Sequence, residues 1–425
     1  MTPTTNIPIP EKSPQSVGFL DWDLSPAEAA AALQHLPGMV FFDTAGNLPS
    51  RSHPPVSIIA ARPVEILRGD IQDTAELRKA ISNYQTHSPS TGFPTGGACG
   101  WVDYEGAYCF GIYPEMLIYQ HDRQQWWQCG GLSQEIRTAP SPAQPPTIGE
   151  FKSPMSKDDY ETKVRAIHDY IAAGDIYQVN LTQRFSTQVT GGSLFPLYQK
   201  LRSSSPAPLA TWMQLGGREI LSSSPETFLR MSGRSVETCP IKGTRPRGHD
   251  EATDKALAQE LLESPKENAE LTMITDLERN DLGQVCEFGS VRVAEMLGLE
   301  KLEQVYHLVS TVTGTLREEI DHLSALAACF PGGSITGAPK KRAMEIIAEL
   351  ESVPRGLYTG AIGYIGFNGE SQFNIPIRTL VRENDQLHYH VGAGIVADSD
   401  PAAEYQETLD KAKGIRLAVS RFLAE

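Results

Sequence analysis

The chain has little cysteine, no surplus of positive charge and no long apolar run. Its six cysteines in 425 residues (Cys99, Cys109, Cys129, Cys239, Cys286, Cys329) form no CxxC pair, which argues against a disulfide framework or a zinc site and for a reducing compartment. Lys and Arg number 37 against 52 Asp and Glu, a formal net charge of −15. Nucleic acid and anionic lipid both demand clustered basic residues, so neither is an expected partner. A small anionic substrate stays open, provided that a metal ion or a few converging cations invert the charge locally. Residues 1–15 are polar and proline-rich and no apolar stretch approaches bilayer length, so no membrane segment is expected and the expected location is cytoplasmic.

What is present is an ordinary globular composition, 40% apolar and 21% charged, long enough for two or three domains or one large interleaved fold. The clearest shift lies at 139–147, APSPAQPPT, where the prolines block helix and central strand. It divides an N-terminal region, 1–147, from a C-terminal region, 148–425. Upstream, 39–43, 56–61 and 99–110 read as buried strands. Downstream, Ser156 with Asp159 forms a capping pair before a helix over 157–172, and Tyr177, Val179 and Leu181 then alternate with Gln178, Asn180 and Thr182 as a strand with one polar face. Hairpin strands are expected over 219–230 and 234–241, further strands over 361–367, 373–381 and 386–391, and helices over 252–263, 266–280, 339–351 and 402–423. Short turns between strands imply antiparallel pairing, so the class is α+β.

Several constellations carry chemistry. GAGIVA at 392–397 fits a loose dinucleotide fingerprint, but no helix opens at its glycines, so a Rossmann reading fails. Gly392 and Gly394 either bring backbone amides close to an anion or make a tight turn. PGGSITGAPKKRAMEII at 331–347 lacks the Walker spacing and reads equally as an anion pocket or a plain helix start. Cys109 in AYCFG lacks the full glutaminase elbow and reads as a buried structural thiol. Glu267/Glu270 and Glu404/Glu407 each place two carboxylates on one helix face, which suits Mg²⁺ with oxygen ligands. A cap at Ser264 and an ion pair from Glu407 to Lys411 explain some of the same residues. PIKGTRPRG at 240–248 crowds Lys242, Arg245 and Arg247, and a lysine among cations can have more of the neutral amine needed for attack. Glu226, in SSSPE, is either a general acid on the partner strand or half of a cross-strand ion pair.

The order GDIYQVNLTQRF, SSSPE, PIKGTRPRG, KENAELTMITDLERNDLG, VYHLVS, GGSITGAPK, LYTGAIGY, IRTL, HVGAGIVADSDPAAEYQETLDKA resembles the chorismate-utilising enzymes, which comprise anthranilate synthase component I, aminodeoxychorismate synthase component I, and isochorismate and salicylate synthases. The match runs from about residue 155 to the C-terminus. It implies a sandwich of two large antiparallel sheets flanked by helices, built by both regions of the chain. Isochorismate and salicylate synthases carry a lysine in the QVNL motif to activate water, whereas Gln178 here resembles the ammonia users. Anthranilate synthases usually read PIAGT, and PIKGT resembles the aminodeoxychorismate synthase branch of folate biosynthesis.

The resemblance further implies roles. Lys242 would attack C2 of chorismate while Glu226 protonates the departing C4 hydroxyl, and ammonia would then add at C4 and expel the lysine. Glu270 and Glu407 would ligate Mg²⁺, with Glu267 and Glu404 supporting through water. Gly243, Thr244, Tyr358, Arg378, the Gly392, Ala393 and Gly394 backbone and Lys411 would hold the substrate's carboxylates. His307 matches the histidine that anthranilate synthases use near the ring in pyruvate elimination. Ammonia would come from a glutamine amidotransferase partner. Some relatives bind tryptophan between the sheets, and SPAP at 205–208 is similar to one of their contacts. The rival readings are an anthranilate synthase component I and a non-catalytic metabolite-binding subunit.

Overall fold

The computed structural model describes residues 17–45, 55–86, 91–136, 145–302 and 305–424; most of the proline-rich tether lies outside them. Among the described residues two sheets form, one of 12 strands and one of 10, and every ladder is antiparallel. Each sheet takes strands from both sides of the tether. The first joins Val56–Ala60 and Val40–Asp43 to Leu209–Leu215 and Arg218–Ser224, and the second joins Ala361–Gly366 to Gly97–Val102. Val40, Ile58, Met213 and Ile220 from the first sheet meet Cys99, Trp101, Ile362 and Tyr364 from the second in one buried cluster between them. Helices Pro26–Leu33, Phe195–Ser204 and Lys413–Leu423 cover the outer face of the first sheet. Ala75–Ser82, His322–Cys329 and the end of Pro265–Gly283 cover that of the second. The expected α+β sandwich flanked by helices is the observed architecture.

The caps are as expected. Ser156 and Asp159 form a reciprocal capping box before Lys157–Ala172. Ser264 caps Pro265–Gly283 by accepting from the Glu267 amide, with Pro265 in the first turn. Four spans differ from expectation. The 99–110 strand is a hairpin, Gly97–Val102 and Ala107–Tyr113, turning at Gly106 with φ 102°. The C-terminal helix is two, Pro401–Lys411 and Lys413–Leu423; they meet next to Gly414, where an added Cβ would lie 3.1 Å from Ser205 Cβ. Most consequential, 219–230 and 373–381 are not single strands. Each runs in one sheet, breaks at Pro225 or Pro376, and continues in the other. Proline has no amide to donate to a ladder, so pairing must stop there.

Candidate active site

The two sheet-to-sheet crossings lie side by side, and the site is built on them. The Ile375 amide donates to Glu226 O (3.1 Å), and Ser224 Oγ donates to Ile375 O (2.6 Å). Glu226 thus sits on a crossing rather than on a hairpin strand, with its side chain carried into the interior. It is buried and its Oε1 has no hydrogen-bond partner. Burial pushes its carboxyl above the usual range, against the opposing pull of the Ser334 hydroxyl and the Lys242 ammonium. Arg378 occupies the other crossing at φ 52°, a left-handed conformation costly for a residue with a Cβ and common at ligand sites. Its charge acts on both Glu226 and His307.

Strand Ile241–Pro246 changes register between Lys242 and Thr244, at Gly243 with φ 66°. A Cβ at Gly243 would lie 2.7 Å from Leu261 Cδ1 and 3.0 Å from Glu267 Oε2, so the bulge requires glycine. Lys242 Nζ donates to Ser334 O (3.2 Å). Its charged neighbours are Glu226, Glu270 and Glu407, not the arginines that follow it in sequence. Arg245 is held by Glu260 (2.8 Å) and Arg247 by Asp254 (2.7 Å). Activation of Lys242 by neighbouring cations, as the sequence suggested, therefore does not describe this pocket.

His307 Nδ1 hydrogen-bonds with Thr244 Oγ1 (3.0 Å), while its Nε2 is buried without a partner. Burial and then the charge of Arg378 hold the imidazole down to about 4, so it is neutral near pH 7. Gln178 Oε1 is likewise buried and unpartnered. A Cβ on Gly394 would lie 2.6 Å from Gln178 Nε2 and one on Gly392 2.7 Å from Thr182 Cγ2. These glycines lie inside strand Gln386–Ile395 and make room for side chains of the adjoining Gln178–Thr190. Lys411 Nζ donates to Gly392 O (3.0 Å). Tyr358 is buried, stacks on His390 and feels the Glu226 charge. Buried polar atoms are normally paired; here Gln178, Glu226, His307 and Ser334 each leave one unpaired. A polar ligand would satisfy them.

Helices Pro265–Gly283 and Pro401–Lys411 bring the two carboxylate pairs toward each other. Glu407 acts electrostatically on both Glu270 and Glu404. Burial pushes Glu270 and Glu404 up. It also pushes Glu407 up, but Lys411, Lys266 and Lys242 outweigh it and hold that carboxyl below the usual range. Lys266 Nζ reaches both Glu270 Oε1 and Glu404 Oε1 at 4.0 Å, one cation shared by both helices. Among the described residues no three His, Cys, Asp or Glu side chains stand together in ligand positions. The donor chemistry nevertheless suits a hard cation, since all four are carboxylates and Mg²⁺ commonly keeps several waters between itself and protein.

Sequence reasoning missed Lys266, Ser334 and Glu278. Glu278 is buried on the apolar stripe Leu271, Ile274, Thr275, Leu282 of its helix; a glutamate in that register was the available signal. A second cavity lies between the sheets, lined by Phe42, Asp43, Pro208, Arg230, Tyr364 and Asn374 among others, so SPAP contributes Pro208 to it. Cys109 is buried with its thiol pushed up by burial, as a structural residue requires. No helix among the described residues is long and apolar enough to cross a membrane.

A family model described as chorismate binding enzyme matches residues 50–416. The chain is 40% identical over 330 residues to aminodeoxychorismate synthase component 1 of Bacillus subtilis, spanning 73% of this chain and 70% of that protein. It is 49% identical over 269 residues to anthranilate synthase component 1 of Thermus thermophilus, spanning 63% of this chain and 58% of that one. The structure of anthranilate synthase component I from Streptococcus pneumoniae superposes with a TM-score of 0.75 at 31% identity, over 92% of this chain and 97% of that one. The chain belongs to the chorismate binding enzyme family. More narrowly, it is a chorismate-utilising enzyme of the aminodeoxychorismate and anthranilate synthase type.

Proposed function

We propose that the protein is an aminodeoxychorismate synthase component I, which makes 4-amino-4-deoxychorismate from chorismate and ammonia. The observation that carries this reading is the lysine at position 242, its amine directed by Ser334 O into the pocket that buries Glu226. Lys242 first gives its ammonium proton to solvent; Nζ then forms a bond to C2 as the two ring double bonds shift and the C4–O bond breaks. Glu226 gives its proton to the leaving hydroxyl, which departs as water. Ammonia then forms the C4–N bond and the C2–Nζ bond breaks, returning Lys242. Splitting one displacement into two lowers each barrier. Arg378 and Lys411 offer positive charge to the substrate's carboxylates, and Gln178 offers a buried amide to the ammonia. Mg²⁺, held by Glu270 and Glu407 with Glu267 and Glu404 through water, would neutralise a carboxylate when bound. A glutamine amidotransferase subunit is the proposed ammonia source, the cytoplasm the proposed location, and the cavity between the sheets the proposed place for tryptophan.

Anthranilate synthase is the second reading, favoured by the buried, unpartnered Nε2 of His307. Purified protein given chorismate, Mg²⁺ and ammonium decides between them. Mass spectrometry should show aminodeoxychorismate, with turnover falling at least about 100-fold in Lys242→Ala. Fluorescent anthranilate and pyruvate as main products would overturn the proposal.

A further inference from the structure

Between helix Lys340–Leu350 and strand Ala361–Gly366 lies Arg355, a cation only 1% exposed that the mechanism above does not use. A guanidinium taken out of water needs its donors paired, and all five N–H groups of Arg355 are. Nε and Nη2 grip Glu351 at Oε2 (2.9 Å) and Oε1 (2.8 Å), a fork that balances the charge. The remaining donors leave that pair. Nη1 donates to Ile335 O (3.0 Å) and Thr359 Oγ1 (3.2 Å), and Nη2 to Asn180 O (2.8 Å).

These acceptors belong to segments that carry site residues. Ile335 follows Ser334, whose carbonyl takes Lys242 Nζ (3.2 Å). On the other side of Ser334, the Gly333 amide is held by Glu278 Oε1 (3.0 Å), so the loop is anchored before and after the carbonyl that receives the lysine. Asn180 lies two residues beyond Gln178 on the same face of strand Gln178–Thr190, and its amide donates to Thr336 O (2.8 Å). Thr359 adjoins Tyr358 and sits at φ 61°, a conformation that a β-branched residue keeps only where its neighbours enforce it. Glu351 works at the same end, since its Oε1 also accepts from the Thr182 amide (3.0 Å). Among the described residues, neither Arg378 nor Lys411 bonds to Arg355.

The cover over the guanidinium comes from before the proline-rich tether. Its carbon lies 4.6 Å from the centre of the Tyr104 ring, and Glu105 accepts from the amides of Arg355 (2.8 Å) and Gly356 (3.1 Å). Tyr104 and Glu105 belong to the turn between Gly97–Val102 and Ala107–Tyr113. A turn of the N-terminal region thus closes on the residue that joins a loop and a strand of the site in the C-terminal region.

We propose that Arg355 is a positioning residue for the reaction: it fixes the Ser334 carbonyl that aims Lys242 and the strand that presents Gln178, and the Tyr104–Glu105 turn holds it in place. It acts through those residues and not on the substrate. This rests on the reading of Lys242 as nucleophile and of Gln178 as the contact for ammonia. Displacing a reacting group by about 1 Å can cost on the order of 100-fold in rate, so loss of the fork should appear in turnover more than in chorismate binding.

Arg355→Lys tests this, because it keeps a positive charge for Glu351 and loses the planar fork. Chorismate titration of the full chain with Mg²⁺ and without ammonium counts the binding sites. With ammonium added, kcat per site should fall at least about tenfold and the ammonium KM should rise about threefold, while the chorismate KM stays within about threefold of wild type. A role in folding alone would lower the number of sites and the melting temperature and leave kcat per site and both KM values unmoved; that outcome overturns the proposal. Tyr104→Leu decides the matter if the lysine variant does not fold. The Tyr104 hydroxyl is buried without a partner, so leucine gives up no hydrogen bond and removes only the ring over the guanidinium. It should lower kcat per site by about threefold and raise the ammonium KM, and wild-type values of both would overturn the proposal. Wild-type turnover in Lys242→Ala sinks the reading of the lysine, whereas a dead Lys242→Ala beside an unmoved Arg355→Lys sinks the positioning role alone.

Discussion

At the scale of single residues, burial pushes several imidazoles of the interior toward their neutral form. His388 is the clearest case beside His307. It is buried, its Nδ1 has no partner, and burial with the charges of Arg184 and Arg218 brings it down to about 3. The sign of the pH effect follows from that direction. A folded-state value below the unfolded one means that the unfolded chain binds the proton first. The stability this group contributes is therefore complete above the unfolded value, near 6.5, and drains away as the pH falls toward 3. Replacing it by Asn removes this dependence. Relative to wild type, His388→Asn should gain stability on going from pH 6.5 to pH 4, by about 2–3 kcal/mol from the linkage slope of ~1.4 kcal/mol per unit. Denaturant unfolding at the two pH values measures it, and parallel losses in both proteins would contradict it.

At the scale of elements, the arrangement depends on helices that face each other and strands that change sheets. Pro265–Gly283 and Pro401–Lys411 confront four carboxylates with Lys266 between them. Lys266→Ala removes the one cation that reaches both Glu270 and Glu404 and leaves the facing carboxylates less compensated, with Lys411 and Lys242 remaining. The variant should melt below wild type in a chelator and recover more on adding Mg²⁺, by roughly 2–4 °C beyond the wild-type response, because a ligand stabilises the state that binds it. Equal Mg²⁺ responses in thermal melts would argue against a cation site at these helices. The helix pairs were legible in sequence because three-residue spacing fixes a common face. The crossings were not. Each of 219–230 and 373–381 reads as strand on both sides of its proline, and nothing in the residue types says to which sheet a half belongs. Pro225 and Pro376 were the only local marks of a break. Arg378 and Glu226 were legible as charged residues in recognisable motifs, but their meeting point depends on two strands far apart in sequence. Glu278 escaped because its helical stripe reads as core. The cation crowding inferred for Lys242 failed because Arg245 and Arg247 turn to Glu260 and Asp254, contacts that linear proximity does not reveal.

At the scale of the whole molecule, the interleaving of the two regions creates a cavity that neither contains alone. Phe42, Asp43 and Ile58 come from before the tether, and Arg230, Tyr364 and Asn374 from after it. Thr211 Oγ1 and Asn374 Oδ1, both lining this cavity, are buried without hydrogen-bond partners. Aromatic and aliphatic walls with a few fixed polar groups suit an amphipathic molecule that has one flat apolar end and one charged end. Tryptophan is such a molecule, which is why the cavity is proposed for it. Because both sheets form the walls, occupancy must tighten the sandwich as a unit. At a concentration 100-fold above its dissociation constant such a ligand adds about 2.7 kcal/mol, enough to raise the melting temperature by a few degrees. Tryptophan should therefore raise the melting temperature and alanine should not. The rise should persist in Lys242→Ala, because the cavity lining does not include that residue. If tryptophan leaves the transition unmoved, the cavity is not its site; if the rise disappears in Lys242→Ala, tryptophan is binding in the chorismate pocket instead.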